Sequence, residues 1–579
     1  MAVSLVETQN AQEDMRLVGS LGELYRGARR NRQNIERQWD KSMRWFNGKQ
    51  EPAIRGDRKA VTVTNIVFAQ IMTILPILAN REPRISLTQL DGDKNEKTYE
   101  LERIITRVIR RNDFIAIQTR AVFNALLFGS GYFKTGWDRT RLRGLGDIAI
   151  MSPPTANMLF SAPDGRLENA NWIMEARELD RATALRLYPN ARALINKVFR
   201  TKSIITDRKN GVPDTEITSY LSQGIGTASS PNPTLTTSTP VQEMHKIGPR
   251  LTFIDCLIRD EETVEVIESD ADPGRPVKKY ATGRLISFIK DTNVKLDDRP
   301  NPYTNFPYAR VMNYDVPGHP YGVAETTHLM PVQKQFNVRM NQIVDQMNFA
   351  NNKMMFVERR SGLDASTVTT APGGIYQTIQ NSGIKIEDWG QPSTAAFQMV
   401  TIYQRFFEMI SGVREVTQGE VPGDVRSGFA VQQLQEAAQT RLRLKTRFLE
   451  QAVRDVVRQI IDLVGIAYLP GKHYNKNVNL KGSFSELYDI DVRSGVNLPS
   501  SRVAEQQMVQ WAFSQGIADE EYVVKSLDLD EPDSLIERMR PIWDAKRQAI
   551  QAQAQQVAAQ AEGQQGQQQA PVAPQQGAS

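Results

Sequence analysis

The chain has 579 residues, of which 40% are hydrophobic and 24% are charged, a composition that can bury a core. Its net charge of +5 is far below that of a protein that grips duplex DNA by neutralising many phosphates. The single cysteine, Cys256, excludes an internal disulfide and a multi-cysteine metal site, and indicates a reducing compartment.

The first predicted helix is Leu21–Gly48. Its apolar positions recur at helical spacing on one face, at Ile35, Trp39, Met43 and Phe46. A second face is basic and carries Arg26, Arg29, Arg30, Arg32 and Arg37. This basic face has two interpretations, a solvated surface or a contact with DNA or with an acidic protein surface.

The next segments alternate between helices and short strands. The run Ile66–Asn80 is predicted to be a buried helix, since it is too short to span a membrane and contains Gln70 and Pro76. One or two helices follow and end at Gly129. Short strands are predicted at "YFKTGWD", "GDIAIMSP" and "NWIMEARELD", and a second group of strands runs from "RLTFIDCLIRD" to "FPYARVMNYDV". The chain is therefore mixed α/β up to about residue 320, with a flexible insertion near 222–242.

Long helices dominate the second half. Gly322–Asn352 is predicted to be a helix, with an apolar stripe at Phe336, Met340, Ile343 or Val344, and Met347, and many amides elsewhere. A compact β-containing segment, a helix at Thr394–Ser411 and a Gly- and Pro-punctuated loop at Gly412–Gly428 follow. The next helix, Phe429–Val464, has no glycine or proline and could reach roughly 54 Å. Shorter helices and a partly disordered Gln- and Ala-rich tail close the chain.

No catalytic constellation is visible. The sequence has no P-loop motif, its four histidines are scattered, and no metal-ligand spacing occurs. The carboxylates Asp147, Glu175 and Asp180 are expected to be surface or turn acids. The sequence therefore predicts no enzyme, no cofactor and no metal site.

The order of these segments resembles the bacteriophage portal, or head-to-tail connector, family, and most of all the portals of short-tailed phages. The residues that carry the resemblance include "RWFNG", "NALLFGSGYFKTGWD", "PGHPYGVAETTHLMPVQKQFNVRMNQIVDQ" and "MISGVREVTQGEVPGDVRSGFAVQQLQEAA". It covers about Leu21 to Val464. The resemblance implies an α+β portal-type fold with a mixed α/β wing, long stem and wing helices, a small β-containing clip and a helical C-terminal crown.

The segments that the resemblance implies follow the chain in order. They are the wing (1–320), the first stem helix (321–352), the clip (353–392), the second stem helix (393–411), the tunnel loop (412–428), the long wing helix and its return (429–498), the crown (499–547) and the tail (548–579). The short tail departs from larger portals, which places an extended C-terminal barrel in doubt.

The resemblance also implies a function and its partners. A ring, usually of twelve subunits, would stand at one vertex of the capsid of the virion after assembly in the host cytoplasm. It would conduct double-stranded DNA without sequence preference and would contact the terminase large subunit, major capsid and scaffolding proteins and a tail adaptor, but no membrane. An alternative is a capsid or tail assembly protein without a DNA channel, and a further one is a nucleic-acid-processing enzyme.

Three groups of residues are candidates for these contacts. In the tunnel loop, the candidates that would meet DNA are Arg414, Glu420, Val421, Pro422, Gly423, Asp424 and Arg426. In the first stem helix they are Gln335, Arg339, Gln342 and Gln346. In the clip, the candidates for docking a partner are Arg359, Arg360 and Asp364. A wall of amides and mixed charges would let DNA slide because it displaces few counterions. The competing interpretation is a solvated helix and an ordinary helix connector.

Overall fold

The structure is a computed structural model, and it divides the chain into two compact units, Met1–Val496 and Asn497–Ser579. It describes residues 2–50, 63–79, 82–89, 96–161, 166–208, 250–259, 263–266, 275–278, 280, 282–292, 294–301, 303, 305–351, 354–357, 384–387, 394–412, 440–474, 478–493 and, in pieces, 509–545. In the second unit the described pieces include helical residues at 509–514 and 538–545.

Helices and strands are both abundant, as expected for an α+β chain. The helices are α1 (Ala2–Phe46), α2 (Ile66–Ala79), α3 (Glu96–Arg111), α4 (Phe114–Phe128), α5 (Arg181–Leu187), α6 (Arg192–Arg208), α7 (Glu325–Asn351), α8 (Thr394–Ser411) and α9 (Thr440–Ala467). In the part of the chain that the structure describes, no helix is both long enough and apolar enough to cross a membrane.

The strands form antiparallel sheets. They are β1 (Arg84–Gln89), β2 (Ser130–Asp138), β3 (Asp147–Met151), β4 (Met158–Ser161), β5 (Trp172–Leu179), β6 (Leu251–Ile258), β7 (Thr263–Val266), β8 (Arg275–Lys278), β9 (Arg284–Ile289), β10 (Val294–Pro300), β11 (Tyr308–Met312), β12 (Met354–Val357), β13 (Ile384–Glu387) and β14 (Tyr488–Arg493). One sheet has the order β10-β9-β6-β5-β4 and another β11-β2-β3, while β1-β14, β12-β13 and β7-β8 are pairs.

The main core forms where the apolar faces of α2, α4 and α9 meet strand β2. Ile71 and Ile74 of α2 are fully buried there, as are Val457 and Ile460 of α9. The described apolar positions of α9 that recur at helical spacing are all buried, namely Leu442, Leu449, Val453, Val456, Ile460 and Val464. Burial of this face, rather than intrinsic helix propensity, accounts for most of the stability of such helices.

Helix α1 is longer than the predicted Leu21–Gly48 and contacts two hydrophobic clusters. Towards its middle, Val18, Leu21 and Tyr25 pack on the five-stranded sheet, in the same cluster as the buried Cys256. Near its end, Trp39 enters the main core and its Nε1 donates to the carbonyl oxygen of Phe128 at 2.8 Å. One helix therefore connects the sheet to the core.

The basic face of α1 is not a single surface. Arg30 and Arg37 are exposed, and Arg26 forms an exposed ion pair with Asp291 at 3.6 Å. Arg32 is buried, where it pairs with Glu36 at 2.7 Å and donates to the carbonyl oxygens of Ala156 and Met158. Both interpretations of the face are therefore wrong for Arg32, because its guanidinium satisfies backbone carbonyls inside the protein.

Several elements differ from their predicted bounds. Helix α7 begins at Glu325 and contains Pro331 near its start, whereas the prediction began at Gly322. Helix α9 ends at Ala467, three residues beyond the prediction, and its predicted start at Phe429 lies outside the described residues. The insertion near 222–242 lies outside them as well. Helix α6 and strand β4 were not predicted.

Strand β2 lies unusually close to helix α4. A Cβ atom built on Gly131 of β2 would lie 2.7 Å from the carbonyl carbon of Ala121 in α4, and closer still to its oxygen. Non-bonded atoms do not come this close to each other, so only glycine fits at this crossing. The crossing brings the sheet β11-β2-β3 directly onto the helical core.

Candidate functional site

Helix α7 carries two kinds of amide, and one kind faces the interior. Gln333, Asn337 and Asn341 are buried, so the prediction that the amides of this helix form a solvated or sliding surface is wrong for these three. The Gln333 side chain accepts from the backbone N–H groups of Ile66 and Val67 at 3.1 and 3.3 Å, and donates to Asn337 Oδ1 at 2.9 Å. Gln333 thus caps the first turn of α2 and locks α7 against it.

The other amides of α7 lie on its outer side. Gln335, Arg339, Gln342 and Gln346 are all exposed. Their spacing of four, three and four residues places them along one face of the helix. Arg339 Nη1 donates to Gln342 Oε1 at 2.8 Å, which holds the one charged member along the row. The structure therefore brings these four predicted residues together as an exposed, weakly charged row.

The two other predicted groups lie outside the described residues. These are the loop residues Arg414, Glu420, Val421, Pro422, Gly423, Asp424 and Arg426, and the candidate docking residues Arg359, Arg360 and Asp364. Only their flanks are described. Helix α8 ends at Ser411, and Gly412 adopts a left-handed φ of 73°, a common way to end a helix. Strands β12 and β13 pair with Met354 opposite Glu387.

Helix α8 packs on α7 with one side and exposes apolar side chains on another. Phe407 is buried and meets Phe336 of α7 edge to face, with ring centroids 6.3 Å apart. In contrast, Ile402, Phe406 and Met409, which are four and three residues apart and so share one side of α8, are 40%, 41% and 62% exposed. Contiguous exposed apolar side chains of this size commonly mark a contact surface for another protein.

A buried ion pair joins the start of α7 to α9. Lys445 Nζ contacts Glu325 Oε2, and their side chains are 3% and 0% exposed. Glu325 also accepts from Asn313 Nδ2 at 3.2 Å and from Tyr314 Oη at 3.3 Å. These bonds satisfy the carboxylate, which makes the burial of its charge tolerable.

The sequence analysis did not identify this pair. One signal was available, because Lys445 lies three residues after Leu442 and four before Leu449, on the face of α9 that is otherwise apolar. A lysine on such a face needs a buried acid. Glu325, in the first turn of its helix, is indistinguishable in sequence from an exposed acid that favours the helix dipole.

Two of the three carboxylates expected at the surface or in turns are buried. Asp147 accepts from Arg111 Nη1 at 3.1 Å and from Tyr468 Oη at 2.6 Å. Glu175 contacts Lys134 and accepts from Tyr308 Oη at 2.8 Å. The expectation was wrong because partners distant in sequence enclose both acids. Asp180 does lie in a turn, where it caps α5 by accepting from the N–H of Ala182 at 3.2 Å.

These buried acids form closed ionic networks. Burial by itself would raise the pKa of the Glu175 carboxyl, but the charges of Lys134 and Arg177 hold this pKa below its usual value. An ionised carboxylate whose oxygens are already paired has no proton to donate and is a weak base. Among the described residues no group of three or more His, Cys, Asp or Glu could hold a metal ion.

Comparison with known protein families gives a match. The family model described as "Phage P22-like portal protein" matches residues 30–469, which is more than half of the chain. The match includes both α7 with its exposed row and α8 with its apolar side chains. No curated protein matches the chain.

Proposed function

The chain belongs to the phage P22-like portal family, and from this membership we propose that it forms a ring of about twelve subunits at one vertex of a phage capsid. Double-stranded DNA would pass through the ring during packaging and ejection. The ring would dock the terminase and later a tail adaptor, and would contact the major capsid and scaffolding proteins. The family match over 30–469 carries this proposal, and it favours a structural role over catalysis.

The exposed apolar side chains of α8 support assembly into a ring. Ile402, Phe406 and Met409 face outward from a helix whose other side already packs on α7. We expect a neighbouring subunit to cover them, because burying these side chains removes apolar area from water. In a closed ring each subunit presents two different faces, so the surface that receives α8 differs from α8 itself.

The exposed row of α7 supports a sliding contact with DNA. Three of its members are uncharged amides, and Arg339 is the one cation among them. Because binding to duplex DNA gains its affinity mainly from released counterions, a surface with so few cations holds DNA weakly. In the proposed assignment α7 and α8 are the two stem helices, and the loop 412–428 is the tunnel loop.

Electron microscopy of the purified full-length protein tests the proposal. We expect negatively stained particles to be rings with an axial hole wide enough for a double helix. Solid particles or monomers without a hole would instead favour a capsid or tail assembly protein without a channel. Nuclease or ATPase activity in a monomeric fraction would favour a nucleic-acid-processing enzyme.

Adding positive charge to the exposed row of α7 is expected to make this surface bind duplex DNA too tightly for the DNA to move along it. In the variant Q335K/Q342K/Q346K each subunit gains three cations, so the affinity of the ring for duplex DNA should rise by about tenfold or more and fall more steeply with salt. Packaging should slow or stop. The measurements are DNA binding at several salt concentrations and the length of DNA packaged into capsids.

The matched control adds the same charge to another exposed surface. Gln33, Asn34 and Gln38 are exposed on α1, so Q33K/N34K/Q38K changes the net charge equally. This control should package DNA normally. If both triple variants alter packaging to the same extent, the row on α7 has no special relation to DNA.

A further inference from the structure

A basic cleft lies in the part of the chain outside the two proposed stem helices. It is a cavity of about 350 Å³ between α3, the turn that joins β2 to β3, and the loop that follows α9. Four cationic side chains, Arg107, Arg111, Arg143 and Lys472, line it together with a single carboxylate, Asp147. Its lining therefore carries a net charge of +3, which is concentrated in a small volume.

The two arginines of α3 are held in place by groups at the back of the cleft. Arg107 and Arg111 are one helical turn apart and so project from the same side of the helix. Arg107 Nη1 donates to the carbonyl oxygen of His473 at 2.9 Å, and Arg111 Nη1 donates to Asp147 Oδ2 at 3.1 Å. A guanidinium has five N–H donors, so most donors of both side chains stay available to a ligand.

The loop after α9 is fixed by His473. Its Nδ1 accepts from the backbone N–H of Leu469 at 3.1 Å, which leaves Nε2 to donate to the carbonyl oxygen of Gly146 at 3.1 Å. The imidazole also stacks on the ring of Tyr468, with centroids 4.5 Å apart. Tyr468 in turn donates to Asp147. The cleft is therefore organised before any ligand arrives.

Arg143 and Lys472 form the outer rim. Both are exposed, and neither forms an ion pair within the described part of the chain. Arg143 adopts a left-handed backbone conformation with φ 57° and ψ 37°, directly after Leu142 with φ 51°. Two successive residues in this region cost conformational energy, and such strain is concentrated at functional sites.

We propose that this cleft binds a phosphate group. A phosphate carries up to two charges and several acceptor oxygens, which suits two guanidinium groups held in place and two exposed cations. A single side-chain carboxylate would leave most of the surplus charge unmatched. The phosphate would come either from a free phosphate compound or from a nucleic-acid strand, since both present the same oxygens. The cleft lies within one chain, so its test does not require a ring.

The test measures inorganic phosphate binding to the full-length protein by titration calorimetry in a chloride buffer of low ionic strength. The variant R143N/K472A removes both rim cations, and asparagine tolerates the left-handed conformation at position 143. We expect it to weaken phosphate binding by about tenfold. The control K197A/R200A removes two exposed cations from α6 and should bind phosphate as the original protein does.

A second measurement uses the unchanged protein. Acetylation of the Lys472 amine, followed by mass spectrometry, should be slowed by phosphate but not by chloride at the same ionic strength, whereas acetylation of Lys197 should be unaffected. Displacement of phosphate by short single-stranded DNA would identify nucleic acid as the source, and its failure would identify a free phosphate compound.

The following results would overturn the proposal. They are the absence of saturable phosphate binding, equal weakening in the control variant, unprotected Lys472, or displacement of phosphate by polyglutamate at lower concentrations than by phosphate compounds. The last result would assign the cleft to an acidic protein surface instead.

Discussion

Replacing Lys445 by methionine is expected to lower the free energy of unfolding by about 3–5 kcal/mol. The substitution keeps the apolar stem of the side chain but removes the cation that contacts Glu325. Glu325 is fully buried, so water cannot replace the lost partner. Asn313 and Tyr314 still donate to the carboxylate, yet neither compensates its charge. Urea unfolding of the unassembled chain measures the change.

Two further variants separate the buried charge from other effects. The double variant E325Q/K445M removes both charges and should recover most of the lost stability, because a buried pair contributes little beyond its own desolvation cost. The variant R26A breaks the exposed pair with Asp291 and should change the free energy of unfolding by less than about 0.5 kcal/mol. If the K445M protein has the same free energy of unfolding as the original, the buried carboxylate of Glu325 does not depend on Lys445, and the prediction is wrong.

Replacing Gly131 by alanine is expected to destabilise the first unit by about 3 kcal/mol. The new methyl group would overlap the backbone of Ala121 in α4, and backbone atoms cannot rotate away as a side chain can. Either β2 or α4 must shift, and β2 is the central strand of its sheet, paired with β11 and β3. The measurement is the midpoint of thermal unfolding, together with the yield of soluble protein.

Gly136 supplies the matched control because it lies in the same strand. A Cβ atom there would lie 3.6 Å from the Tyr303 hydroxyl oxygen, which is an ordinary contact. The variant G136A should therefore unfold close to the midpoint of the original protein. If both variants lose the same stability, the strand tolerates no added methyl group at either position. The loss at Gly131 would then not be due to the close crossing of α4.

Sequence periodicity predicts the long helices well because their determinants are local. Helix α8 has the predicted bounds Thr394–Ser411, and the described apolar positions of α9 are buried as its period requires. Short elements carry too few residues to show a period, which explains why the four-residue strand β4 was not predicted. Part of the extension of helix α1 beyond its predicted start, at Leu17 and Val18, packs on a sheet formed by residues much later in the chain.

The polar interior was the least predictable part. Arg32 bonds to the carbonyl oxygen of Met158, and Asp147 to Tyr468, across more than a hundred residues in each case. No local pattern distinguishes such residues from exposed ones. The same holds for α7, where Gln333 and Gln335 differ in position by two residues yet one is buried and the other exposed. The four candidate residues Gln335, Arg339, Gln342 and Gln346 are exposed, while their contact with DNA stays a prediction.

Helix α1 has a mechanical consequence. From Val18, on the five-stranded sheet, to Trp39, in the main core, it spans about 30 Å of continuous helix. Near its far end, Ser42 accepts a hydrogen bond from Thr326, at the first turn of α7. Helix α1 thus connects the five-stranded sheet directly to the first turn of α7. A displacement of the sheet by a neighbouring molecule would therefore be transmitted along α1 to the first turn of α7.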